Sequence, residues 1–238
     1  MDQAIAGLVT PLLEEIDGEL DAGYSAVLYG SAARGEYLAG TSDLNLLLVC
    51  GSLRPEVLRA LSPALERLRR ERQTPPLLIE LGEWERAADV FPIEVTDMQA
   101  AHETLRGADP VSGISVDRGD LRRALEEELR GRLLRLRQSF ALHASDAAAL
   151  GEIAARSISS VAALLRASLA LHGKPVPRAT PEALQSAGAA LGVNTGSVVE
   201  LWQGRAARAA CRSEVFEAYL AAVASAVRVI DQFTPGGN

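Results

Sequence analysis

The chain has 238 residues, 48% of them hydrophobic but only 4% aromatic, with a formal net charge of −7 and a sequence pI near 5.1. That length can bury one large core or two modest ones, and a core so poor in rings must be aliphatic. The acidic balance gives no global attraction to nucleic acid or to an anionic membrane, so neither is expected as a partner.

The opening MDQAIAGLVT lacks a basic segment followed by a clean apolar run, so it does not read as a signal peptide. No apolar stretch is expected to reach the ~18 residues of a membrane span. Cys50 ends an apolar strand pattern and Cys211 lies in a helical one. Both read as small core residues of a reducing compartment rather than as a disulfide. A soluble, cytoplasmic protein is expected.

Thr10-Pro11 can open a helix over residues 11 to 22, with Leu12, Leu13, Ile16 and Leu20 on one face and Gly23 ending it. Residues 24 to 29 and 43 to 49 read as strands, the second apolar on both faces and therefore covered on both sides. Residues 53 to 72 look helical, with Pro63 kinking or restarting the element. PPLLIEL reads as a third strand, residues 83 to 88 as a short helix, and VFPIEVT as a fourth strand with Pro92 at an edge or a beginning.

The Gly-, Pro- and Ser-containing segment 106 to 119 marks a change of character. The expected division is residues 1–112, an α/β domain, and residues 113–238, a helical one. Leu121, Leu125, Leu129, Leu133, Leu136 and Phe140 mark one long amphipathic helix, and residues 146 to 172 another. Thr180-Pro181 opens a third, and Ser213 caps a last helix through residue 233. Short connections predict antiparallel neighbours in an up-down bundle. Only the final TPGGN reads as disordered. The fold class expected is α+β: a mixed-sheet domain followed by an all-α bundle.

The chemistry is concentrated in VLYGSAARGEYLAGTSDLNLLLV, residues 27 to 49. Gly30 permits close backbone approach or an unusual φ, and Ser31 offers a hydroxyl and backbone N–H groups where a helix starts, which suits a phosphate. Eleven residues separate Ser31 from Asp43. On an alternating strand positions 43 and 45 share a face, and two acids there could hold divalent ions ~4 Å apart, as two-metal phosphoryl transfer requires. Glu94 in FPIEV is placed to add a third carboxylate, with Glu80 as a substitute.

These residues resemble the signature of the DNA polymerase β-like nucleotidyltransferase superfamily: Gly-Ser, a gap of this length, then acid–apolar–acid. The bundle looks like the second domain of kanamycin-nucleotidyltransferase-like members. The resemblance implies that Gly30 and Ser31 hold a nucleoside triphosphate, that Arg34 reaches its phosphates, and that Asp43, position 45 and Glu94 bind magnesium or manganese. It further implies two alternative roles for Glu94, bridging to metal or acting as base toward the acceptor hydroxyl. Nucleoside monophosphate would pass from the triphosphate to a hydroxyl of a small molecule or protein, releasing pyrophosphate.

Asn45 departs from that pattern. An amide oxygen can ligate a hard cation but carries no formal charge, so two carboxylates remain where a full triad has three. The leading expectation is a metal-dependent nucleotidyltransferase with a degenerate metal site. Its rivals are a catalytically inactive nucleotide sensor and an interaction protein acting through its bundle, for instance as a homodimer. The arginines at 118, 122, 123, 130, 132, 135 and 137 alternate with acids and read as a solvated helix face.

Overall fold

A computed structural model of the chain describes residues 2–20, 23–40 and 42–234. It divides into two compact units, Met1–Ser115 and Val116–Asn238.

In the first unit, α1 (Gln3–Glu19) starts well before the expected position. The side chain of Asp2 accepts a hydrogen bond from the Ala4 amide and caps the helix, and Pro11 lies inside it. The cause is periodicity: Ile5, Val9, Leu12, Leu13 and Ile16 form one buried stripe that reaches back past the proline. Positions 21 and 22, the end of the expected helix, lie outside the described residues.

The sheet has four strands in the order β3-β2-β1-β4. Strand β1 (Tyr24–Tyr29) is antiparallel to β2 (Asn45–Cys50) and to β4 (His102–Arg106), and β2 is parallel to β3 (Leu77–Glu80). One face of β1 and β2, carrying Ala26, Leu28, Leu46 and Leu48, packs into a core with α1 and with Leu61, Ala64 and Leu68 of α3 (Pro55–Arg70). The opposite face carries Val27, Leu47 and Val49, which are also buried, so β2 is covered on both sides, as its apolar run required. Helix α3 runs through Pro63 without a break.

VFPIEVT, expected as the fourth strand, folds otherwise. It is not a strand: Pro92–Ala100 forms the helix α5, with Pro92 in its first turn and Pro92, Val95, Thr96 and Met98 buried at helical spacing. Proline is suited to the first helical position because its missing N–H is unneeded there. The fourth strand is β4, later in the chain. Between β3 and α5 the short helix α4 (Leu81–Trp84) buries Trp84, whose indole N–H donates to the Pro110 carbonyl at 2.8 Å.

In the second unit, α6 (Arg118–His143) and α7 (Ala147–Leu171) occupy the expected ranges, followed by α8 (Thr180–Leu191) and α10 (Ser213–Gln232). A helix the sequence did not suggest, α9 (Gly196–Gly204), lies between the last two. Ser213 is the first helical residue rather than the cap, and Cys211 precedes the helix. The final TPGGN lies outside the described residues from position 235 onward. Leu121, Leu125, Leu129, Leu133 and Leu136 are the buried stripe of α6, and its exposed side carries the i,i+4 pairs Arg122–Glu126, Arg130–Glu126 and Arg132–Glu128. Helix α7 is long and apolar enough to cross a membrane by length and composition, against the expectation that nothing would be. Its apolar surface has another destination here, because α6, α8, α9 and α10 all pack against it.

The segment after β4 is pinned by Asp109, which accepts from the Val111 amide at 2.8 Å, from Ser112 Oγ and from His102 Nε2 at 3.2 Å. Burial pushes its carboxyl up, but these hydrogen bonds outweigh that and bring it down to about 2. A carboxyl depressed on folding stabilises the protein above its unfolded pKa of ~3.9 and loses that contribution as pH falls through the folded value. Asp109→Asn should therefore lower the melting temperature at about pH 6, with the gap from wild type closing between about pH 4 and about pH 2. A gap constant across that window would show that the charge of Asp109 contributes nothing.

Candidate active site

Strand β1 ends at Tyr29 and the chain turns at Gly30, whose φ is +70°. Residues with a Cβ enter that left-handed region at a cost of ~1–2 kcal/mol. Space makes the same demand, since a Cβ at Gly30 would lie 2.5 Å from Nδ2 of Asn45. The register pairs Asn45 with Tyr29, so the amide at the start of β2 packs directly on the turn. Ser31 follows, half-buried, and its carbonyl accepts from the Glu36 amide at 2.8 Å. The short helix α2 (Gly30–Arg34) then closes on Gly35 at φ +78°.

Asp43 is exposed and precedes β2 instead of opening it. Its neighbour explains why. The Leu44 amide donates to the side chain of Gln73 at 3.0 Å, and β1, having turned at Gly30, offers no backbone partner beyond Asn45. The shared strand face expected for positions 43 and 45 is therefore replaced by a loop residue beside a strand residue.

Glu94 stands exposed in the first turn of α5. One turn on is Asp97, an acid the sequence reading passed over. Arg34 Nη1 contacts both Asp97 oxygens at 3.2 and 3.0 Å, while Arg34 Nε donates to Glu36 at 3.1 Å. The side chains of Arg34, Glu36 and Asp97 are only 10%, 12% and 14% exposed. Any phosphate reaching Arg34 must thus compete with carboxylates already in place. The Tyr29 hydroxyl is raised above its ordinary pKa by burial first, then by the charges of Glu94 and Asp97. Both acids of α5 consequently lie near the end of β1 that Asn45 adjoins.

Glu80 belongs elsewhere. It pairs with Cys50 at the far end of β2, accepts from the Leu53 amide at 2.7 Å and shares a capping box with Glu83. Among the described residues, no three His, Cys, Asp or Glu side chains converge into a group that could hold a metal ion. With Asn45 packed on Gly30 and Asp97 bound to Arg34, the donor set does not fit a resident two-ion centre.

No protein-family model matches the sequence, and no curated protein does either. A match comes from solved structures. Spectinomycin adenyltransferase AAD(9) from Enterococcus faecialis, crystallised with ATP and spectinomycin, is similar to this chain with a TM-score of 0.56. The match covers 98% of this chain and 100% of that one at 11% identity. The fold is that of a nucleotidyltransferase. It extends well beyond residues 27 to 49, the stretch that suggested it, and includes the helical second part.

The Gly30–Asn45 contact yields a prediction. Gly30→Ala should destabilise the protein by ~1–2 kcal/mol for the dihedral, plus the cost of displacing the Asn45 amide. In urea unfolding, Gly30→Ala combined with Asn45→Ala should recover only the second part. Strict additivity of the two single variants would mean that the side chains do not meet.

Proposed function

We propose that the protein binds a nucleoside triphosphate at the Gly30–Ser31 end of β1, with magnesium or manganese arriving as part of the metal–nucleotide complex, and that nucleotidyl transfer from it is weak. The observation that carries this reading is the Asn45 amide packed on the Gly30 turn, at the position where transfer chemistry needs a carboxylate. Backbone and hydroxyl groups at Gly30 and Ser31 suit a phosphate, and Asp43 is the acid available to the nucleotide's own ion. The second ion of a two-metal reaction would lack a charged ligand on β2.

In the transfer itself, the acceptor oxygen would bond to the α-phosphorus as the bond to pyrophosphate breaks, and Glu94 would take the acceptor proton. The ATP and spectinomycin crystallised with AAD(9) support a nucleotide donor and a small acceptor here.

Calorimetric titration of magnesium–ATP tests the reading. Wild type should bind it only when the metal is present, and Asp43→Asn should abolish the metal dependence. Asn45→Asp should tighten metal-dependent binding on the order of tenfold, because a unit charge ~4 Å from an ion is worth ~1 kcal/mol or more even when well screened, and tenfold is about 1.4 kcal/mol. Absence of binding to both wild type and Asn45→Asp, with the other triphosphates also inert, would overturn the proposal.

A further inference from the structure

The helical unit contains a cavity of about 180 Å³ between α7, α9 and the segment that leads into α10. That segment, RAARAACR, is fastened to α7 at two points. The Ala209 carbonyl oxygen would lie 2.1 Å from a Cβ at Gly151, so only glycine lets it sit there, and the Cys211 amide donates to the Ala147 carbonyl at 2.8 Å. Held this way, the segment keeps Arg208 at a left-handed φ of +47°, which a residue with a Cβ adopts only where its surroundings fix it.

Three arginines, Arg205, Arg208 and Arg212, line the cavity together with one acidic residue, Glu200. Arg205 is positioned by its own neighbour. It stacks over Trp202 at 3.6 Å from the ring centroid, and its Nη1 donates to the Trp202 carbonyl at 2.7 Å. Arg208 faces Glu152 at 3.4 Å, with both side chains nearly half-exposed. Such a surface pair is weak and screened, so a better anion can replace Glu152, which also has Arg156 within 3.6 Å. Ala154, Leu201 and Val215 supply apolar walls.

We propose that this cavity binds a small organic anion, a carboxylate or a phosphate monoester with a compact apolar body. Charge selects the sign: guanidinium forks match both head groups, and charge-assisted hydrogen bonds are the strong ones. Size sets the scale, because the cavity is smaller than the ~300–1,000 Å³ of sites for drug-sized ligands, so it suits a compact anion. The apolar walls favour an organic ion over a bare inorganic one. The site is independent of the nucleotide reading and stands or falls separately.

The test uses the full chain, with benzoate, phenyl phosphate and inorganic phosphate as probes at constant ionic strength against chloride, read by calorimetry and thermal shift. Benzoate or phenyl phosphate should bind saturably at one site and raise the melting temperature. The double variant Arg208→Gln, Arg212→Gln should weaken binding at least tenfold, since each exchange removes a charged donor. Ala155→Leu, which keeps the charges but fills the cavity that Ala155 also lines, should weaken it comparably. Arg228→Gln, on the exposed side of α10, should leave affinity within about twofold of wild type. Inorganic phosphate should bind more weakly than phenyl phosphate. Lack of saturable binding by any probe would overturn the proposal, as would equal losses in Arg228→Gln and the double variant, or undiminished binding in Ala155→Leu.

Discussion

The contact between Gly30 and Asn45 constrains everything around the site. Strand β1 must stop at Tyr29 because the next residue leaves the extended region for a φ of +70°, and it can do so because no side chain intervenes between the turn and the Asn45 amide. The stop limits how much of β2 can pair, which leaves Leu44 to bond with Gln73 and Asp43 to stand in the preceding loop. A change at Gly30 would therefore be felt at Asn45, in the register of β1 with β2 and in the placement of the exposed acid. One tight approach organises the turn, the helix and the strand.

Charge organises the neighbouring region. Arg34 closes α2, and its guanidinium joins Glu36 in the following loop to Asp97 on α5. At 10 to 14% exposure these groups are removed from most of the water that would solvate them, so loss of one partner leaves a poorly compensated charge rather than merely one bond fewer. The loop after α2 is thereby tied to α5, and α5 carries Glu94 and Asp97 to the end of β1. In a two-metal centre, cations would balance acids of this kind; here Arg34 balances one of them. That difference motivates a reading in which a nucleotide is bound and its transfer is weak.

The helical unit depends on the apolar residues of α7. Nearly every turn of that helix buries a residue, from Leu150 to Leu171, and four other helices share its surface. The same composition in isolation passes for a membrane span, which shows how little hydropathy says once partners are absent. Close approaches again need glycine: Gly151 admits the Ala209 carbonyl, and Gly188 of α8 admits Thr195 and Val193. The first of these approaches shapes the arginine-lined cavity.

Local signals determined much of this protein. The leucines of α6 repeat at helical spacing, the apolar run of β2 has no polar face, and the residues from Gly30 to Asn45 already indicated the nucleotidyltransferase fold. Where two local patterns competed, sequence reading failed. Pro11 looked like a helix start although the stripe from Ile5 to Ile16 continues past it. VFPIEVT alternates over too few residues to distinguish a strand from a helix opening on Pro92, so Asp97 was overlooked with it. Tertiary structure alone decided that Asn45 lies against Gly30, that Arg34 turns to Asp97 across 63 residues of chain, and that Glu80 caps a helix instead of serving the site. Those outcomes depend on which backbones approach and which charges share a low-dielectric space, and neither is written in the order of nearby residues.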